Sequence, residues 1–194
     1  MPARPKTSDA EIIDATRALL EAQGRDGFSM AEIADAVGVR TPSLFSRFAS
    51  RAALLDRVEL ALWAALRREL EAAATPSRLI KKPLEGLSAQ GRAYRAFAKA
   101  NPNGYALMFD PRASQTAEGA AVRGAALAPC LPGFVALVGE DKALAAARVL
   151  TPFLHGFVSM ELSQAFRLGG GIDAAFETGL DAILSGLLTW RRSP

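Results

Sequence analysis

The stretch SMAEIADAVGVRTPSLFSRF, residues Ser29–Phe48, decides how the chain is read. Ser29 and Glu32 have the Ser-x-x-Glu spacing of a capping box, which starts a helix by satisfying two otherwise unpaired amides. That helix is short, with Met30, Ile33, Ala34 and Val37 turned inward, and Gly38 stops it. After the apolar plug Val39 and then Arg40, Thr41 is expected as N-cap and Pro42 at the first helical position of a second short helix. Leu44, Phe45 and Phe48 are expected to face inward, leaving Ser43, Ser46 and Arg47 outside. Two short helices joined through a glycine turn, the second polar and basic on its outer face, form a helix-turn-helix. A helix fits the major groove of DNA, and the short side chains of Thr41 and Ser43 let its backbone approach the bases. Arginines reach phosphates or guanine edges.

Working outward, Ser8 or Thr7 caps a preceding helix that runs to about Gln23 and ends at Gly24. Ile12, Ile13, Thr16, Leu19 and Leu20 give it one apolar face. A following helix begins near Ser50, with Leu54, Leu55, Val58 and Leu62 as its buried stripe. Between Asp35 and Asp56 there is no acidic residue, while Arg40, Arg47 and Arg51 fall inside that window. Such a charge gap suits a polyanion.

Over Asp9 to Val58 the sequence resembles the TetR family of bacterial regulators. The matching elements are Ile12-Ile13-x-Ala15, Leu19 to Gly24, Phe28-Ser29-Met30-x-x-Ile33-Ala34, Gly38-Val39, Leu44-Phe45-x-x-Phe48 and Arg51-x-x-Leu54-Leu55. The resemblance implies a homodimer whose two heads read a roughly palindromic double-stranded DNA operator, and a variable body that binds a small effector. It implies a phosphate contact for the Ser29 hydroxyl and a base-facing helix start at Arg40, Thr41, Pro42 and Ser43. Arg47 and Arg51, standing where relatives place histidine and lysine, are implied phosphate contacts. Phe45 replaces the family's usual tyrosine, and Ser46 occupies a position where a second aromatic is frequent, so its contact is a different one.

The rest of the chain is also read as helical, which makes the fold all-α: a three-helix head at 1–56 and a helical body at 57–194 for effector binding and dimerisation. The helix from Ser50 extends to about Ala74, and Ser77 to Pro83 reads as a loop. Further helices follow at Leu84–Ala100, from Asn101-Pro102, at Gln115–Leu127, at Asp141–Leu168 (kinked or restarted at Pro152) and at Ile172–Trp190. Asn101-Pro102 with Tyr105-x-x-Met108-Phe109, and the run Leu154-His155-Gly156, are similar to the WHG-type carboxy-terminal domain of a TetR subgroup, although the signature tryptophan is missing. The last two helices are the candidate dimer interface, through Phe176, Leu180, Ile183, Leu184, Leu187 and Leu188, with the small Ala182 and Gly186. Tyr94, Phe97, Tyr105, Met108, Phe109, Phe153 and Phe157, with His155 as a polar group, are candidates for holding a small, largely apolar effector.

Composition bounds the alternatives. Half of the 194 residues are hydrophobic and the net charge is +3. A single cysteine and a single histidine offer no disulfide, no zinc signature and no catalytic triad, so neither enzyme activity, metal nor cofactor is expected. No apolar run is expected to span a membrane, and a cytoplasmic location follows. The competing reading is a helical small-molecule carrier or dimeric interaction module whose head no longer binds DNA.

Overall fold

The computed structural model describes residues 7–112 and 116–192; the expected helix start at Gln115 lies outside them. Among the described residues there are helices and short 3-10 turns and no strand, as the all-α reading requires. The helices are α1 (Asp9–Gln23), α2 (Met30–Ala36), α3 (Thr41–Phe45), α4 (Arg51–Ala73), α5 (Pro76–Lys81), α6 (Pro83–Ala100), α7 (Pro102–Met108), α8 (Ala117–Ala126), α9 (Leu131–Val138), α10 (Glu140–Leu162) and α11 (Ile172–Leu188). They group into two compact units, residues 1–64 with 101–123 and residues 65–100 with 124–194.

In the first unit, α1 opens on a capping box. The Ser8 hydroxyl accepts from the Glu11 amide at 3.2 Å, while the Glu11 carboxylate accepts from the Ser8 amide at 2.6 Å. Ile12, Leu20, Ile33, Leu44, Leu54 and Val58 are almost wholly buried and form the core on which α1 to α4 close. Segment 101–110 is fixed at one end to α1 and at the other to the turn that follows α1. The Glu21 carboxylate accepts from the amides of Asn103 (3.1 Å) and Gly104 (2.7 Å), two donors that the first turn of α7 would otherwise leave unpaired. Beyond the other end of α7, Arg25 pairs with Asp110 at 2.8 Å.

Two details of the head differ from expectation. The Arg40 carbonyl accepts from the Ser43 amide at 2.8 Å, so the first turn closes one residue early. Arg40 is therefore the N-cap, without a side-chain cap bond, and Thr41 is the first helical residue. Phe45 is 49% exposed. With Leu44 anchored inward, its neighbour is rotated about 100° around a 3.6-residue helix and leaves the core.

In the second unit, α5 stands where a loop was expected. The Thr75 hydroxyl accepts from the Arg78 amide at 3.3 Å and Pro76 opens the helix. Leu79 is buried and pins α5 against Gly86 and Gly133, where an added Cβ would come within 2.8 Å of its side chain. Helix α10 runs unbroken through Pro152 and ends at Leu162 rather than Leu168, because the chain turns at Gln164 with φ +55°. The stripe assigned to dimerisation is mostly internal: Phe176, Leu180, Leu184 and Leu187 are at most 2% exposed. Exposed on one face of α10 instead are Val149, Pro152, Gly156 and Met160, and on α11 Thr178, Ala182 and Ser185.

Contrary to the sequence expectation, 117–138 and Glu140–Leu162 are long and apolar enough, by length and composition, to cross a membrane. The first stretch is not one helix, since a 3-10 turn at Ala128–Cys130 divides it. The second buries Leu150, Leu154 and Val158 as core positions of its own unit.

Candidate nucleic-acid interface

Helices α2 and α3 are joined by a turn that only glycine takes without strain. Gly38 has φ +68°, and the Val39 amide then donates back to the Ala34 carbonyl at 2.9 Å. Ile33, Ala34 and Leu44 bury the inner faces of the pair. On the outer side Arg40, Pro42, Ser43, Phe45, Ser46 and Arg47 are exposed and Thr41 is half-buried. The outer face thus offers hydroxyls, an aromatic edge and guanidinium groups on a helix narrow enough for the major groove. Between the start of α1 and this turn lies an open groove of about 750 Å³, lined by Thr7, Glu11, Val37, Gly38, Ser43, Ser46 and Arg47, among others.

The individual side chains are held differently. The Ser29 hydroxyl accepts from the Glu32 amide at 3.2 Å and donates to its carboxylate at 2.8 Å. The Ser29 amide donates to the same carboxylate, and these bonds hold the Glu32 carboxyl below its usual range. The Ser46 hydroxyl donates to the Ser43 carbonyl at 2.8 Å. Among the described residues Arg40 has no ion pair. Arg47 donates to the Thr7 carbonyl and lies 3.2 Å from the Asp9 carboxylate, itself 63% exposed. An exposed pair of this kind is worth about 0–1 kcal/mol and is readily exchanged for a phosphate. Arg51 is turned the other way: it donates to the Arg25 carbonyl and its guanidinium carbon sits 4.5 Å from the centre of the Phe28 ring.

The residues expected to hold an effector divide between the units. In the first, Tyr105 and Met108 are buried and Phe109 is 40% exposed, its ring 5.0 Å from Tyr105 and 5.4 Å from Trp63. In the second, Tyr94 and Phe97 are buried, and Phe153, His155 and Phe157 are half-buried. Phe153 and Phe157 pack on one another and on Phe176, with ring centres 5.3–6.1 Å apart. Burial pushes the His155 imidazole below its ordinary pKa, which favours the neutral ring.

Three features escaped the sequence. Phe45 belongs to the outer face, but a five-residue helix is too short to show a period. Asp9 is the partner of Arg47, and Asp110 that of Arg25; both pairs join segments remote in sequence, with no local pattern to betray them.

Residues 12–58 match the family described as bacterial regulatory proteins, tetR family, and residues 87–183 match the tetracyclin repressor-like C-terminal domain. Over 59 residues the chain is 37% identical to the HTH-type transcriptional repressor BdcR of Escherichia coli (strain K12), a match spanning 30% of each protein. A protein with unknown function from Rhodococcus sp. RHA1 superposes with a TM-score of 0.74 at 24% identity, covering 97% of this chain and 99% of that one. A TetR variant from Acinetobacter baumannii AYE in complex with minocycline superposes with a TM-score of 0.67 at 23% identity, covering 97% and 100%. The two structural likenesses speak to the fold alone, whereas the sequence matches take in the helix-turn-helix and half the chain beyond it. The chain belongs to the TetR family of transcriptional regulators.

Proposed function

We propose that this TetR-family regulator is a cytoplasmic repressor: a homodimer holds a palindromic double-stranded DNA operator, and a small, largely apolar effector releases it. The observation that carries the reading is the outer face of α3. There Arg40 has no ion pair among the described residues, and Arg47 is held only at the surface. Arg40, Thr41, Pro42 and Ser43 form the base-facing start of the helix, while Ser29, Ser46 and Arg47 meet the DNA backbone. The name of BdcR, a repressor, supports repression, and the minocycline complex of a structural neighbour supports a small-molecule effector. The exposed apolar face of α10 and the small exposed residues of α11 support a two-fold contact between copies. The effector shifts DNA affinity only by its preference for one conformation of the dimer over the other.

The test is capture of fragmented chromosomal DNA by the wild-type protein, followed by affinity measurements against salt. Fragments sharing an inverted repeat are expected. Arg47→Ala is expected to weaken binding to every sequence and to reduce the slope of log K against log salt by about 0.9. No protected fragment at any salt overturns the proposal and leaves the carrier or interaction-module reading.

A further inference from the structure

We infer that Arg51 is a positioning residue of the head, tied through Arg25 to Asp110, and not one of its phosphate contacts; this rests on the head binding DNA. Arg51 is the first residue of α4, directly after the turn that follows the recognition helix. Its guanidinium lies on the ring of the buried Phe28 and donates to the Arg25 carbonyl, 3.9 Å from the Asp26 carboxylate, and its Nε is buried without a hydrogen-bond partner. Reaching a phosphate would uncover Phe28 and leave the Arg25 carbonyl without this donor. Arg47 also donates to a carbonyl, that of Thr7, but this bond is exposed and among the described residues no buried ring lies beneath its guanidinium, so its move to a phosphate costs less.

Arg25 carries the connection further. While its carbonyl receives Arg51, its guanidinium donates to Asp110 at 2.8 Å, and the Asp110 side chain is only 9% exposed. Arg112 also donates to Asp110, and with Arg25 keeps that carboxyl charged, near a pKa of about 2. The chain of contacts therefore runs from the start of α4, across the turn at 24–28, to the end of α7. Glu21 secures the other end of α7 to α1. A displacement of α7, which carries Tyr105 and Met108, is thereby delivered to the first residue of α4, a few residues after the recognition helix ends.

The experiment compares wild type, Arg51→Ala, Arg51→Lys, Asp110→Asn and the Arg51→Lys/Asp110→Asn double variant. Each is titrated with salt on a duplex carrying the inverted repeat enriched by the wild type, and followed by amide hydrogen exchange. Lysine keeps the charge but loses the planar fork, so it preserves a phosphate contact and not a positioning role. Both Arg51 variants are expected to bind about tenfold more weakly with an unchanged salt slope. Asp110→Asn is expected to speed exchange at residues 24–28 and 51–55, and the double variant to be no weaker than the worse single one. A salt slope reduced by about 0.9 in Arg51→Ala, with Arg51→Lys binding as wild type, overturns the inference. So does faster exchange confined to residues 110–112. If the wild type binds no duplex, the DNA-binding reading falls, and the exchange result alone decides the linkage.

Discussion

Arg47 and Arg51 bear the same charge in neighbouring turns, and their surroundings give them opposite duties. One rests against an exposed acid; the other is stacked on a buried ring and donates to the Arg25 carbonyl. A third arginine shows what such a group does in the body. Arg95, 9% exposed, donates to both oxygens of Glu161 and to Asp173, with its guanidinium 4.7 Å from the centre of the Phe176 ring. Hydrogen bonding to Arg95, and then to Lys99, holds the Glu161 carboxyl below its usual range. A carboxyl depressed in the folded state stabilises the protein above its unfolded pKa of about 4, and that stability is lost as pH falls through the folded value. Asp110 behaves alike, with its folded pKa near about 2. The melting temperature is expected to vary little between about pH 7 and 5 and to fall below about pH 4. Glu161→Gln should lower it at neutral pH and make the acid decline shallower. A Gln variant with an unchanged pH profile would show that the ion pair contributes nothing.

At the scale of elements, most of the head was legible because its boundaries are written locally. The capping box at Ser29 and Glu32, the stops at Gly24 and Gly38 and the Asn101-Pro102 start each act within one turn of chain. Misses arise where tertiary contacts decide. Six residues cannot show a helical period, so α5 hid in a segment with a proline at each end, although Thr75-Pro76 was a readable start. What holds α5 is Leu79 lying over Gly86 and Gly133, contributed by α6 and α9. The overlong α10 followed from Gln164 to Leu168 being apolar or helix-compatible, while the chain turned for the sake of Arg95, which binds the end of α10 and the start of α11 together. Gly133→Ala tests this packing. Its Cβ would come 2.8–2.9 Å from Leu79 and Leu87, and urea unfolding is expected to show a loss of about 1–3 kcal/mol. A neutral result would mean that α5 and α9 have room to separate.

For the whole molecule, the stripe that the sequence offered for a dimer contact on the last helix is spent on the core of its own unit, where Phe176, Leu180, Leu184 and Leu187 are buried. A contact through Val149 and Met160, 42% and 47% exposed, is one apolar option left on α10. Val149→Glu with Met160→Glu should halve the mass seen by light scattering while leaving helical circular dichroism intact. A variant that stays dimeric would move the interface elsewhere. The aromatic set that the sequence offered for an effector divides between two units, and Phe153 and Phe157 are already packed on Phe176. The central claim remains the reading of DNA by α3. It is tested most directly by repeating the selection of bound duplexes from a randomised library with Arg40→Ala/Ser43→Ala, which alters only exposed positions of the recognition turn. The account predicts that the enriched repeat loses its base preference within each half-site while the salt dependence of binding is largely retained. A motif identical to that of the wild type would contradict it.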